Sequence, residues 1–61
     1  MKTLGYIKDN TKNFRVVYDE KNGTMFIEGT TIATYNLKSE EEALDRVIDF
    51  PGFITKEEVN R

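Results

Sequence analysis

Very few side chains of this 61-residue chain could act as a nucleophile or a general base. The sequence has no cysteine and no histidine, so the commonest general base and the thiolate ligands of zinc sites are missing. The only serine, Ser39, stands before three glutamates, where capping a helix explains it. Because a nucleophilic serine also requires a base, we expect no catalytic residue and no enzyme.

Two carboxylates, Asp45 and Asp49, form the nearest pair that could share acid–base work. They fall one turn apart on the solvated side of an expected helix. A pair that does acid–base work is usually desolvated, and both residues are expected to be exposed there, so this pair does not change the expectation.

A second pattern resembles part of a calcium-binding EF-hand loop. Four residues fall at positions 1, 3, 5 and 12 of such a loop: Asp9, Thr11, Asn13 and Glu20. Phe14 stands at the sixth position, which requires glycine, and the glycines at Gly23 and Gly29 suit hairpins rather than a phosphate loop. We therefore expect no metal and no cofactor.

The acidic helix face, made of Glu41, Asp45 and Asp49 at intervals of four residues, is the main candidate surface. Glutamates 40–42 suit the positive end of a helix dipole. The helix dipole does not explain Asp45 and Asp49, because Asp49 lies near the negative end of the helix. Like charges four residues apart also destabilise a helix. The simple interpretation is a solvated helix back. The functional one is a surface for a basic protein partner, or a mimic of nucleic-acid phosphates.

Alternating apolar residues in the first half of the chain predict the strands that frame this helix. A turn at Gly29-Thr30 sets Phe26 opposite Ala33, which extends the sheet as an antiparallel meander. Strands are predicted over Thr3–Lys8, Phe14–Lys21, from about Thr24 to Glu28, and Thr31–Leu37.

The dipeptide Asn22-Gly23 predicts a two-residue type I′ hairpin between the second and third strands. In this register Tyr18 lies opposite Ile27. A three-residue loop with a bulge is the alternative and would set Tyr18 opposite Phe26. We favour the first register because it gathers the large apolar residues on one face.

The helix signal begins at Ser39, whose side chain is expected to cap the first turn. Pro51-Gly52 is expected to stop the helix after Phe50, and residues 55–58 predict one further helical turn. The apolar stripe of the helix consists of Ala43, Leu44, Val47 and Ile48.

One sheet face is the expected partner of that stripe, with Phe50 and Phe53 closing one end. Its members are Phe14, Val16, Tyr18, Met25, Ile27 and Ile32. The predicted fold class is therefore α+β: a small antiparallel meander of three or four strands, one helix packed on one face, and a short C-terminal helical turn.

The opposite sheet face carries Val17, Phe26 and Tyr35, which one helix cannot cover. Small monomers rarely leave such a patch open, so we expect self-association as a homodimer through these residues. The competing expectation is that the first strand, or the tail after Pro51, covers them, with Phe53 or Ile54 as the lid.

Charge is uneven along the chain. Residues 1–22 carry five basic and three acidic side chains, whereas residues 23–61 carry four basic and eight acidic ones. Four aromatic residues lie on predicted strands near the lysines of the first half: Tyr6, Tyr18, Phe26 and Tyr35. An aromatic sheet face flanked by lysines is how several single-stranded nucleic-acid binders work. However, the net charge of −2 disfavours phosphate contacts, so nucleic acid is the second choice of partner.

These patterns predict a single domain over residues 1–61 that is complete and cytoplasmic, since no apolar run reaches the length of a signal peptide or membrane span. The expected function is a small non-enzymatic protein-binding module, an inhibitor or regulatory subunit, using the acidic helix face or the apolar sheet face. The alternative is a single-stranded nucleic-acid binder.

Overall fold

The computed structural model describes the backbone of residues 1–59 and the side chains of residues 1–57. This part of the chain forms β1 (Lys2–Asp9), β2 (Lys12–Asp19), β3 (Thr24–Ile27), β4 (Ala33–Thr34), α1 (Glu40–Val47), β5 (Phe53–Thr55) and α2 (Lys56–Val59). The strands make one antiparallel sheet in the order β4-β3-β2-β1-β5. Buried residues of α1 share one core with the strands. The predicted α+β meander with one packed helix is confirmed, and a fifth strand is added to it.

The loop between β2 and β3 differs from the prediction. Tyr18 pairs with Met25, so four residues form the loop instead of two. Asp19 stabilises the longer loop, because its carboxylate accepts hydrogen bonds from the backbone N–H of Lys21 at 3.1 Å and from the side-chain amide of Asn22 at 2.8 Å. The register moves by two residues, which leaves every side chain on its predicted face.

Gly23 ends this loop with a φ of 62°, a left-handed conformation that favours glycine. Its carbonyl oxygen accepts a hydrogen bond from the backbone N–H of Leu37 at 2.9 Å. A Cβ at this position would lie 2.5 Å from the carbonyl oxygen of Leu37. Any side chain at position 23 would therefore collide with the segment that leads into α1.

The next connection keeps its predicted register but shortens its strand. Phe26 pairs with Ala33 as predicted, yet β4 spans two residues rather than seven. Within the turn, the hydroxyl of Thr30 donates a hydrogen bond to the carbonyl oxygen of Ile27 at 2.8 Å. At the other end, Asn36 adopts a φ of 63°, which strand geometry excludes.

Helix α1 begins at the predicted cap and ends earlier than predicted. The Oγ of Ser39 accepts a hydrogen bond from the backbone N–H of Glu42 at 3.1 Å. The last helical residue is Val47, and the backbone N–H of Phe50 turns back to its carbonyl oxygen at 2.9 Å. Pro51 disfavours helical geometry in the residue before it, which helps to unwind this end.

Strand β5 lies beside β1 because Gly5 leaves room for it. Gly5 pairs with Thr55, and a Cβ there would collide with the carbonyl oxygen of Ile54 and lie 2.8 Å from the Phe53 ring. The tail therefore extends the sheet edge. It does not form the predicted lid over Val17, whose neighbours are in β1 and β3.

The core lies between α1 and the sheet. Its buried members are Leu4, Ile7, Val16, Tyr18, Met25, Ile27, Leu37, Ala43 and Val47, and Phe14, Leu44, Phe50 and Phe53 pack against them. Two predicted members lie outside it. Ile32 is 44% exposed because the turn before β4 leaves it at the sheet edge, and Ile48 is 52% exposed because the helix ends before it.

Candidate protein-binding surfaces

The acidic helix face is exposed but shorter than predicted. Glu41 and Asp45 both lie on α1, four residues apart, with their side chains in solvent. Asp49 is also exposed, but it lies in the turn after the helix. The predicted column of three therefore contains two helical residues, and Asp49 is not held in line with them by helical geometry.

Within the described part of the chain, the carboxylates of α1 form no ion pair. The two ion pairs found there are Lys2–Glu20, at 3.8 Å, and Arg15–Glu28, at 2.9 Å. Both lie on the sheet and its loops. The side chains of Glu42 and Arg46 do not approach within ion-pair distance, although their spacing allows it.

A groove between α1 and α2 borders this surface. Its apolar lining residues are Leu4, which is buried, and Leu44, which is half-buried. Three acidic residues also line it, Glu40, Glu41 and Glu57. Thr55 and Lys56 complete the lining. We call this feature the α1–α2 groove.

The α1–α2 groove has a volume of about 170 Å³. Sites for cofactors and drug-sized ligands are usually larger, about 300–1,000 Å³, whereas a cavity of about 150 Å³ accommodates a molecule the size of benzene. The groove is therefore of the size that one amino-acid side chain fills. Sequence reasoning missed it because Leu4 and Glu57 meet only when β5 pairs with β1.

On the other side of the sheet, the predicted self-association residues differ greatly in exposure. Val17 is only 3% exposed, Phe26 is half-buried and Tyr35 is 66% exposed. In the sheet register Val17 lies between Thr3 of β1 and Phe26 of β3. The expected open patch of three residues is therefore reduced to Phe26 and Tyr35, since neighbouring strands already cover Val17.

An ion pair occupies part of this open sheet face, the face opposite α1. Arg15 donates two hydrogen bonds to Glu28, from Nε to Oε1 and from Nη2 to Oε2, both at 2.9 Å. The bonds raise the pKa of the Arg15 guanidinium and lower the pKa of the Glu28 carboxyl. These two charges are consequently satisfied within the chain.

Aromatic side chains on the strands divide between the two faces. Tyr18 is buried in the core. Tyr6 pairs with Arg15 and with Ile54 in the register and shares the open sheet face with Phe26. Of the aromatic residues considered for nucleic-acid binding, the half-buried Tyr6 and Phe26 and the exposed Tyr35 are therefore accessible, and Tyr18 is not.

Comparison with protein-family models, with curated proteins and with solved structures found no match to this chain. Within residues 1–59, no helix has the length and apolar character needed to cross a membrane. The described side chains contain no group of three histidines, cysteines or carboxylates placed to hold a metal ion.

Proposed function

We propose that this chain is a non-enzymatic protein-binding module, an inhibitor or regulatory subunit, whose α1 side binds a basic surface of another protein in the cytoplasm. The observation that carries the proposal is the pair of exposed carboxylates on α1, those of Glu41 and Asp45. Within the described residues, neither forms an ion pair. A cationic partner would supply a counter-ion.

Local helix physics accounts for only part of this charge. The carboxylates of the first turn, Glu40, Glu41 and Glu42, interact favourably with the helix dipole and with the cap at Ser39. Asp45 lies beyond that turn and repels Glu41, at a cost of about 0.2–0.5 kcal/mol. A bound cation relieves this repulsion, and a negative surface also accelerates encounter with a basic partner.

The charge balance of the open sheet face supports the α1 side over the sheet as the binding surface. Arg15 and Glu28 neutralise one another there. Among the described residues, Lys8 is the one cationic residue lining a cavity of about 350 Å³ on this face, together with Tyr6, Asn13 and Ile54, so little positive charge is placed there for phosphates. Binding to single-stranded nucleic acid through Tyr6, Phe26 and Tyr35 is therefore the second candidate.

Selection from a display library of random peptides tests the proposal without requiring that the partner be identified first. We expect the immobilised protein to enrich peptides containing lysine and arginine. The Asp45→Lys variant should lose most of this enrichment, because it reverses a charge at the centre of the surface. Enrichment of neutral or acidic peptides, or of none, would contradict the proposal.

Titration with short single-stranded oligonucleotides at two salt concentrations tests the second candidate. Counter-ion release makes phosphate-driven binding fall steeply as salt rises. We expect no measurable binding at either concentration. Salt-sensitive binding in the micromolar range that is lost in Tyr35→Ala would favour the nucleic-acid function instead.

A further inference from the structure

We infer that the α1–α2 groove receives a single lysine or arginine side chain of the partner, with its methylene stem on Leu4 and Leu44 and its charged head among the rim carboxylates. This inference rests on the proposed function and names the partner chemistry. It identifies the groove, rather than the exposed outer surface of α1, as the point of strongest contact.

The floor of the groove fits the stem of a long side chain. Leu4 enters the core through a bulge in β1, which places it beside α1. Leu44 packs against the core on one side and remains half exposed on the other. Burying apolar stem against these two residues contributes about 25 cal/mol per Å² of surface removed from water.

The rim fits a positive charge at the end of that stem. Among the described residues, Glu40 and Glu41 of α1 and Glu57 of α2 line the groove, together with one cationic residue, Lys56. The positive end of the α1 dipole opposes a bound cation, but it is equivalent to only about half a charge. The rim therefore keeps a net negative charge. Lysine and arginine are the side chains that combine an apolar stem with a cationic head.

The size of the groove limits the occupant to one side chain. A volume of about 170 Å³ slightly exceeds the cavity of about 150 Å³ that benzene occupies in a protein core. A helix or strand of a partner would not enter it. The partner is therefore expected to place one basic residue in the groove and to make its other contacts on the surrounding surface.

NMR titration with minimal probes tests the inference on the intact chain. The probes are Nα-acetyl-lysine N-methylamide, its arginine counterpart, and the norleucine derivative, which keeps the stem and lacks the charge. We expect the lysine and arginine probes to shift the methyl resonances of Leu4 and Leu44, and the norleucine probe to bind at least about fivefold more weakly.

Two rim variants sharpen the test. Glu57→Gln should weaken the lysine probe about threefold, and Lys56→Gln should strengthen it by a similar factor, because exposed charges contribute modestly. Asp9→Asn, which neutralises an exposed carboxylate at the β1–β2 hairpin that does not line the groove, should leave binding of the probe unchanged. Dispersed amide spectra show that each variant is folded.

Three results would overturn the inference: shifts confined to the Asp45 region, equal binding of the norleucine probe, or no effect of either rim variant. In each case the proposed function would still stand if the display selection yields basic peptides that Asp45→Lys no longer binds. Failure of that selection would remove the proposed function itself.

Discussion

On the open sheet face Arg15 and Glu28 bind one another through two hydrogen bonds of 2.9 Å, whereas on the α1 side Glu41 and Asp45 are exposed and form no ion pair within the described residues. The first arrangement satisfies its charges inside the chain. The second leaves its carboxylates outside any described ion pair. We infer that the sheet face mainly serves the fold and that the α1 side serves binding.

The apolar residues of the two regions differ in the same way. Val17 on the open sheet face is 3% exposed, although no helix covers it. On the α1 side, Leu44 remains half-buried at the edge of the groove. A residue's exposure here depends on its immediate strand neighbours as much as on which face it occupies.

The largest expected effect contrasts one buried and one exposed apolar residue. Val17→Thr should lower the free energy of unfolding by about 1–3 kcal/mol, because the substitution buries a hydroxyl in place of a methyl group. Ile48→Thr, at a position 52% exposed, should change it by less than about 0.5 kcal/mol. Urea denaturation measures both. Equal effects would mean that the sheet face is as open as the helix end.

Capping of α1 gives the next effect. Ser39→Ala should cost about 1 kcal/mol, because the backbone N–H of Glu42 loses its acceptor. Ser39→Asp should restore most of the loss, since aspartate caps equally well. Thermal or urea unfolding of the three proteins checks this. An unchanged Ser39→Ala variant would show that the start of α1, and with it the position of Glu40 and Glu41, is not set by the cap.

A weaker effect is expected from the ion pair on the open sheet face. The hydrogen bonds from Arg15 lower the pKa of Glu28 in the folded chain. A lowered carboxyl pKa contributes stability above the pKa of the unfolded chain, and this contribution is lost as the pH falls through the folded value. In Arg15→Gln the titration midpoint of the Glu28 carboxyl, followed by NMR, should rise toward the ordinary value of 4.5.

Glu28→Gln provides the matched control for this measurement. It removes the titrating group, so the small loss of stability on acidification should diminish by the same amount in this variant as in Arg15→Gln. An unchanged Glu28 midpoint in Arg15→Gln would show that the pair does not form in solution. The open sheet face would then carry free charges, and the contrast with α1 would disappear.

The smallest expected effect concerns self-association. The homodimer predicted from the sequence now depends on Phe26 and Tyr35, because Val17 is already covered. We expect a weak dimer in sedimentation experiments that appears only at high protein concentration, and Tyr35→Asp should abolish it. A monomer at every concentration would contradict the homodimer.

Much of the fold follows from the sequence because its local signals are physically strong. The cap at Ser39, the Phe26–Ala33 register and the core face of β2 agree with the sequence patterns. The two-residue turn at Asn22-Gly23 does not form, since the carboxylate of Asp19 binds the next loop residues and lengthens the loop. Side-chain competition of this kind is invisible to a rule based on dipeptides.

The candidate site was less accessible to sequence reasoning. Exposure of Glu41 and Asp45 follows from helical spacing, but the position of Asp49 depends on where α1 ends. The α1–α2 groove depends on β5, a three-residue strand with no alternation pattern to detect. The signal that could have suggested it is Gly5, whose missing side chain lets the tail approach β1.

The central claim, that the α1 side binds a basic partner and the rest of the chain does not, is tested most directly by two matched charge reversals. Asp45→Lys and Asp9→Lys change the net charge equally, and both residues are exposed, but Asp9 lies at the β1–β2 hairpin. The measurement is the affinity of the strongest display-selected peptide for each variant. The account predicts a loss of about tenfold or more, equivalent to about 1.4 kcal/mol, for Asp45→Lys and less than about twofold for Asp9→Lys. Equal losses would show that overall charge alone attracts the peptide and would contradict the account.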